Sequence, residues 1–200
     1  MSEFVAYFNG DWIPKSECKV HISDRGFALG DAIYEAERTF DGKIFDLDGH
    51  IDRLFRSLKY VRIDPSVTYE EMKSLCIESV DRNMHMWKDG HDFALRQYVT
   101  RGSGSSVSET VPPVVYVGVD YVGFRRFSKM YDDGGHVVFA RSRSYSPNSL
   151  DPKIKHLSRM NFALAELEAA DVDPASWPVI PAGNQLAWDR DRNQRVGRSL

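Results

Sequence analysis

Cysteine is scarce in this chain. Only Cys18 and Cys76 occur, with no CxxC pair and no histidine cluster beside either. That excludes a disulfide framework and a cysteine-based zinc site, and it fits a reducing compartment. Cys76 falls in an apolar helical stripe and reads as core, not as a nucleophile. A strong charge of one sign is missing too. The formal net charge is -3, which gives no pull toward nucleic acid or a membrane surface. Long apolar runs are absent: Val114 to Val119 falls far short of the ~20 residues that cross a bilayer. The first residues, Met-Ser-Glu-Phe-Val-Ala-Tyr, lack a basic stretch followed by an apolar one, so no secretory leader is expected. These absences lead us to expect a cytoplasmic protein without nucleic-acid, membrane or metal partners.

What is present is an ordinary globular composition. Of 200 residues, 42% are hydrophobic and 28% charged, enough for one sizeable core or two small ones. Asn9-Gly10 lies between two alternating runs, 3–8 and 11–14, and signals a hairpin. Asp41-Gly42 marks a second, between Ile33–Phe40 and Lys43–Phe45. A helix opens at Leu47-Asp48 with Asp48 as the expected N-cap, and Ile51, Leu54, Phe55, Leu58 and Val61 follow at helical spacing. Pro65 enforces its end. Thr68 and Glu71 form the pattern of a capping box, before the stripe Met72, Leu75, Cys76, Ser79, Val80. Residues 92–101 and 113–120 read as strands around a Gly/Ser loop. A further unit starts with the strand Val137–Ala140, and a helix after Lys155 carries Phe162, Leu164, Ala165, Leu167, Glu168 and Ala169. The fold class is therefore α+β.

Three positions draw attention for chemistry. Lys155 lies at an expected helix start between Ile154 and Leu157; an amine held against apolar surface favours imine chemistry. Lys153 competes with it, and a lysine at a helix start is most often solvated. Arg53, in His50-Ile51-Asp52-Arg53-Leu54, sits on the polar side of its helix, where a guanidinium can hold a phosphate by paired hydrogen bonds. The plainer alternative is a surface arginine paired with Asp48 or Asp52. Alternation places Tyr34, Ala36 and Arg38 on one strand face and Glu35 and Glu37 on the other; Tyr34 could equally be a packing residue.

Taken together, Asp24-Arg25-Gly26-Phe27 with Gly30-Asp31 and Tyr34-Glu35, then Asp41-Gly42-Lys43-Ile44-Phe45-Asp46-Leu47, then His50-Ile51-Asp52-Arg53-Leu54, resembles the class-IV, fold-type-IV aminotransferases that use pyridoxal 5'-phosphate. The block from Ile154-Lys155-His156-Leu157 to Leu164-Ala165-Glu166-Leu167-Glu168-Ala169 resembles the family's lysine segment, and that register selects Lys155 over Lys153. Arg159 and Met160 stand where the family usually has Asn and Tyr. The resemblance covers about residues 3–179.

It implies Lys155 as the catalytic, cofactor-bearing lysine and Arg53 as the residue that binds the cofactor phosphate. It implies Tyr34, Arg38 and Arg96 as substrate-side residues. The implied reaction moves an amino group between an amino acid of branched-chain type and a 2-oxo acid, in a homodimer. The loop Arg101–Ser108 lacks the Arg-x-His pair of D-amino acid members. A D-amino acid or (R)-amine transaminase, an aminodeoxychorismate lyase, and a non-catalytic dimerising remnant remain as alternatives.

After Ile180 the pattern dissolves. Residues 181–200 contain four Arg, two Asp and no Lys, Ile or Phe, and read as an irregular, disordered tail. The family's glutamate for the pyridine nitrogen is not found. The expected organisation is a complete small N-terminal domain over 1–120, a connector over 121–133, a truncated cofactor-lysine domain over 134–180, and the tail. Impaired activity is the expected consequence.

Overall fold

The computed structural model describes residues 3–88, 91–123, 128–174, 176–180, 187–189 and 194–196. No helix among them is long and apolar enough to cross a membrane. The chain divides into two compact units, Met1–Gly123 with Ile154–Ser158, and Phe124–Lys153 with Arg159–Leu200.

The first unit is a six-stranded antiparallel sheet with two long helices. β1 (Val5–Phe8) and β2 (Asp11–Pro14) form the first hairpin. Its turn needs the left-handed backbone that Asn9 (φ 51) and Gly10 (φ 108) adopt. β3 (Ala32–Phe40) and β4 (Lys43–Ile44) form the second, with Asp41 and Gly42 again at positive φ. β5 (Phe93–Thr100) and β6 (Val114–Tyr121) complete the order β2-β1-β6-β5-β3-β4.

A short helix, α1 (Arg25–Leu29), was not foreseen in the sequence. Asp24 caps it by accepting from Gly26 N, and Gly30 ends it at φ 70. α2 (Leu47–Val61) and α3 (Tyr69–Arg82) bury Ile51, Leu54, Leu58, Met72, Cys76 and Val80. Leu95, Val99, Val117 and Val119 supply buried apolar side chains from the sheet. Thr68 makes the full capping box with Glu71. The expected cap of α2 needs correction. Asp46, not Asp48, flanks the helix, and Asp48 lies in the first turn, where its carboxylate pairs with Lys73 Nζ at 2.6 Å and suits the helix dipole.

The second unit contains α4 (Ser128–Asp133), inside the expected connector, then β7 (Val137–Phe139), α5 (Met160–Val172) and β8 (Trp177–Val179). β7 and β8 pair in parallel, and α5 packs on both. Only Ala165 and Ala169 of α5 are buried, while Leu164 and Leu167 are exposed, because one narrow helix face meets the two-stranded sheet. Glu168 accepts hydrogen bonds from Ser142 N at 3.1 Å and Ser142 Oγ at 2.6 Å, so the Glu-Ala pair of the lysine block ties the helix to the bend after β7. Within the segment expected to be irregular, Ala187–Asp189 and Gln194–Val196 form two short antiparallel strands, β9 and β10. The rest of that segment lies outside the described residues.

Candidate active site

Lys155 does not open a helix, as its sequence context suggests; α5 begins at Met160. Residues 154–158 run instead along the edge of β3 in the first unit. Tyr34 N donates to Lys155 O at 3.0 Å, Leu157 N donates to Ala32 O at 3.0 Å, and His156 bridges Ile33. Ser158 Oγ donates to Gly30 O at 3.2 Å. These bonds satisfy backbone groups that an open strand edge leaves unpaired. They also fix where the lysine emerges. Ile154 is buried, and Lys155 Nζ lies 4.3 Å from the centre of the Tyr34 ring, a cation–π contact that needs no carboxylate. Tyr34 in turn stacks on Tyr98.

One residue along β3, Glu35 faces α2 with its side chain fully buried. Arg53 Nε and Nη2 both donate to its carboxylate, the second at 2.6 Å, and His50 Nδ1 lies 3.0 Å from Oε2. His50 and Arg53 are three apart on α2 and so share a helix face. Burial works to raise the Glu35 pKa, but the hydrogen bonds and charges of Arg53 and His50 outweigh it and hold the carboxyl below its ordinary value. The same pairing raises that of Arg53. The Arg53 side chain stays 42% exposed.

Glu37 is different. Its Oε1 accepts from Gln97 Nε2 at 2.6 Å, whereas Oε2 is buried without a hydrogen-bond partner. Burial, and then the charge of Glu35, push its pKa up to about 8 against the opposing influence of Gln97, Arg53 and Lys155. Glu35, Glu37 and His50 bring donor atoms within 4.8 Å of one another. That spacing would suit a metal, but the Arg53 guanidinium already occupies the Glu35 carboxylate.

The register Tyr34↔Tyr98 and Ala36↔Arg96 puts Tyr34, Arg38 and Arg96 on the sheet face opposite Glu35. Arg38 pairs with Asp92 at 3.1 Å and stacks on Phe40. Arg96 pairs with Asp120 at 3.2 Å and is half exposed. At the other end of β3, Asp31 takes both Arg25 and Arg101, and Arg101 also donates to the carbonyls of Val61 and Arg62 at the end of α2. That clamp ties the Asp24–Asp31 block to α2. Sequence reasoning missed Glu35 and His50 as site residues. The available signal was the i, i+3 pairing of His50 with Arg53 opposite the acidic face of β3.

Lys155 thus presents an amine at the edge of β3, and Arg53 a partly exposed side chain on α2. The family model for amino-transferase class IV matches residues 32–175, and the chain belongs to that family. A putative branched-chain-amino-acid aminotransferase of Methanocaldococcus jannaschii is 30% identical over 174 residues, covering 84% of this chain and 57% of the relative. A D-alanine aminotransferase of Bacillus licheniformis is 44% identical over 95 residues, 48% of this chain and 32% of the relative. A hypothetical aminotransferase of Mycobacterium tuberculosis, solved in its PLP-bound form, superposes with TM-score 0.73 at 19% identity, covering 91% of this chain and 63% of that one. Here the likeness is one of fold. The chain thus spans about three-fifths of the length of the first of these relatives and of this structure.

Proposed function

We propose that this chain carries the lysine and phosphate-binding arginine of a pyridoxal-phosphate aminotransferase acting on an amino acid of branched-chain type and a 2-oxo acid. The observation that carries this reading is the pair of anchors on β3. Lys155 is bonded through its backbone to Tyr34, and Arg53 through its side chain to Glu35. The residues fit the cofactor. Lys155 offers a primary amine on an aromatic floor, and among the described residues Arg53 Nη1 has no partner, leaving donors for a phosphate. When bound, the cofactor supplies the electron sink for the amino acid. Lys155 would hold it and then move the proton at the substrate carbon. Tyr34 would bound the substrate side. Of the two arginines on the Tyr34 face, Arg96 is the better candidate for a substrate carboxylate, since its side chain is the more exposed.

The longer match to a branched-chain relative and the absence of Arg-x-His from residues 101–108 favour branched-chain substrates. The higher identity over 95 residues to a D-alanine enzyme supports a second reading. Both readings allow a homodimer. Supplying the chain with pyridoxal phosphate and 2-oxoglutarate, and comparing L-leucine with D-alanine as donor, separates them. Activity is expected to be impaired in this chain, and whatever turnover of L-leucine it retains should vanish in Lys155→Ala. Faster turnover of D-alanine would favour the second reading, and equal, measurable rates in wild type and Lys155→Ala would overturn both.

A further inference from the structure

We propose that Glu35 positions Arg53, holding one side of the guanidinium so that its other side is a preformed edge for a phosphate group. This rests on the reading of Arg53 as the phosphate arginine. A guanidinium has five N–H donors in a plane. Glu35 engages Nε and Nη2 together, a fork that removes rotation about the end of the side chain. Nη2 also lies 3.4 Å from His50 Nδ1, and Nη1 is left as the donor group for a phosphate. Without the fork, a side chain 42% exposed would sample many rotamers, and an incoming phosphate would have to order it.

The carboxylate is suited to this work. Its side chain is fully buried, so it has no solvent to turn to, and His50 Nδ1 at 3.0 Å fixes its second oxygen. The neighbouring acid, Glu37, takes a hydrogen bond from Gln97 at 2.6 Å and sits where burial favours its protonated form. A neutral Glu37 leaves the two acids of one strand face with a single negative charge, and that charge stays on Glu35, next to the Arg53 guanidinium.

The test compares pyridoxal 5'-phosphate with pyridoxal, which lacks the phosphate, as probes of the whole chain. Dissociation constants come from absorbance titration of wild type, Glu35→Gln, Arg53→Lys and the double variant. The ratio of the two constants measures the phosphate preference. In Glu35→Gln this ratio should fall about tenfold, the loss expected for a weakened charge-assisted contact, with pyridoxal affinity unchanged within about twofold. The double variant should prefer phosphate no less than Arg53→Lys alone. An unchanged ratio in Glu35→Gln beside a collapsed one in Arg53→Lys overturns the positioning role and leaves the phosphate reading intact. An unchanged ratio in Arg53→Lys overturns the phosphate reading itself.

A second measurement covers a Glu35→Gln variant that fails to fold, and a wild-type chain that binds neither probe. In wild type, the Arg53 Nε–H resonance in nitrogen-15 NMR should exchange slowly with water, and inorganic phosphate should shift the Nη signals more than Nε. An Nε–H that exchanges as fast as exposed arginines do would overturn the positioning role whatever the probes show.

Discussion

Glu37 lies under α2 with its carboxyl pushed up to about 8, first by burial and then by the charge of Glu35. Its ordinary value is 4.5. Between those values the folded chain holds a proton that the unfolded chain releases. The stability this contributes is complete below pH 4.5 and is lost as the pH climbs through about 8. Glu37→Gln keeps the shape, removes the ionisation, and can offer its amide to Gln97 Oε1, which is buried without a partner. We expect the variant to melt roughly 2–4 °C above wild type at pH 8.5, about 1 kcal/mol for a chain of this size, with no gain at pH 4.5. A gain of equal size at both pH values, by thermal denaturation, would show that packing and not the proton is responsible. Among these residues the sequence was half legible. Alternation correctly placed Glu35 and Glu37 opposite Tyr34. It could not show that the acidic face was the buried one, because that depends on which way α2 and α3 fold over the sheet.

Elements set by local chemistry were readable, and those set by distant chain were not. Both hairpins announce themselves in Asn9-Gly10 and Asp41-Gly42, which supply the left-handed backbone of the two turns. The Thr68–Glu71 capping box is equally local. Thr68→Ala should lower stability by about 1 kcal/mol, measured by urea denaturation with an unchanged slope. No loss at all would mean that solvent replaces the cap. The segment 154–158 is the opposite case. Its place on the edge of β3 joins residues more than a hundred positions apart, so a window around Lys155 shows only apolar flanks and suggests a helix start. Gly30 is where that docking is most exposed to change. A Cβ there would run into Ser158 Oγ and reach within 3.2 Å of Ser158 Cα, at a φ of +70°. Gly30→Ala should therefore push residues 154–158 off β3. Amide exchange of Tyr34 and Leu157, whose N–H groups bond across that seam, should then quicken relative to wild type, while the amides of α3 keep their protection. Unchanged exchange at Tyr34 would mean the seam tolerates the methyl.

Across the chain as a whole, two blocks with different demands share one sequence pattern. The first unit carries Arg53, Glu35 and Tyr34, and it also takes Lys155 through the return of residues 154–158. This return is topological and has no local signature in the sequence. The family match crosses both units, from 32 to 175, and takes in the Tyr34-Glu35 pair, the His50–Leu54 turn and the lysine block, the motifs from which the proposed site is drawn. The functional reading turns on Lys155 being, among all the lysines of the chain, the one placed to hold pyridoxal phosphate. Incubation with that cofactor, reduction with borohydride and peptide mapping probe this placement without intermediate assumptions. A pyridoxyl group on Lys155 at one per chain, reduced in Arg53→Lys, is expected. A label spread over surface lysines, with Lys155 no more modified than Lys153, would refute the assignment.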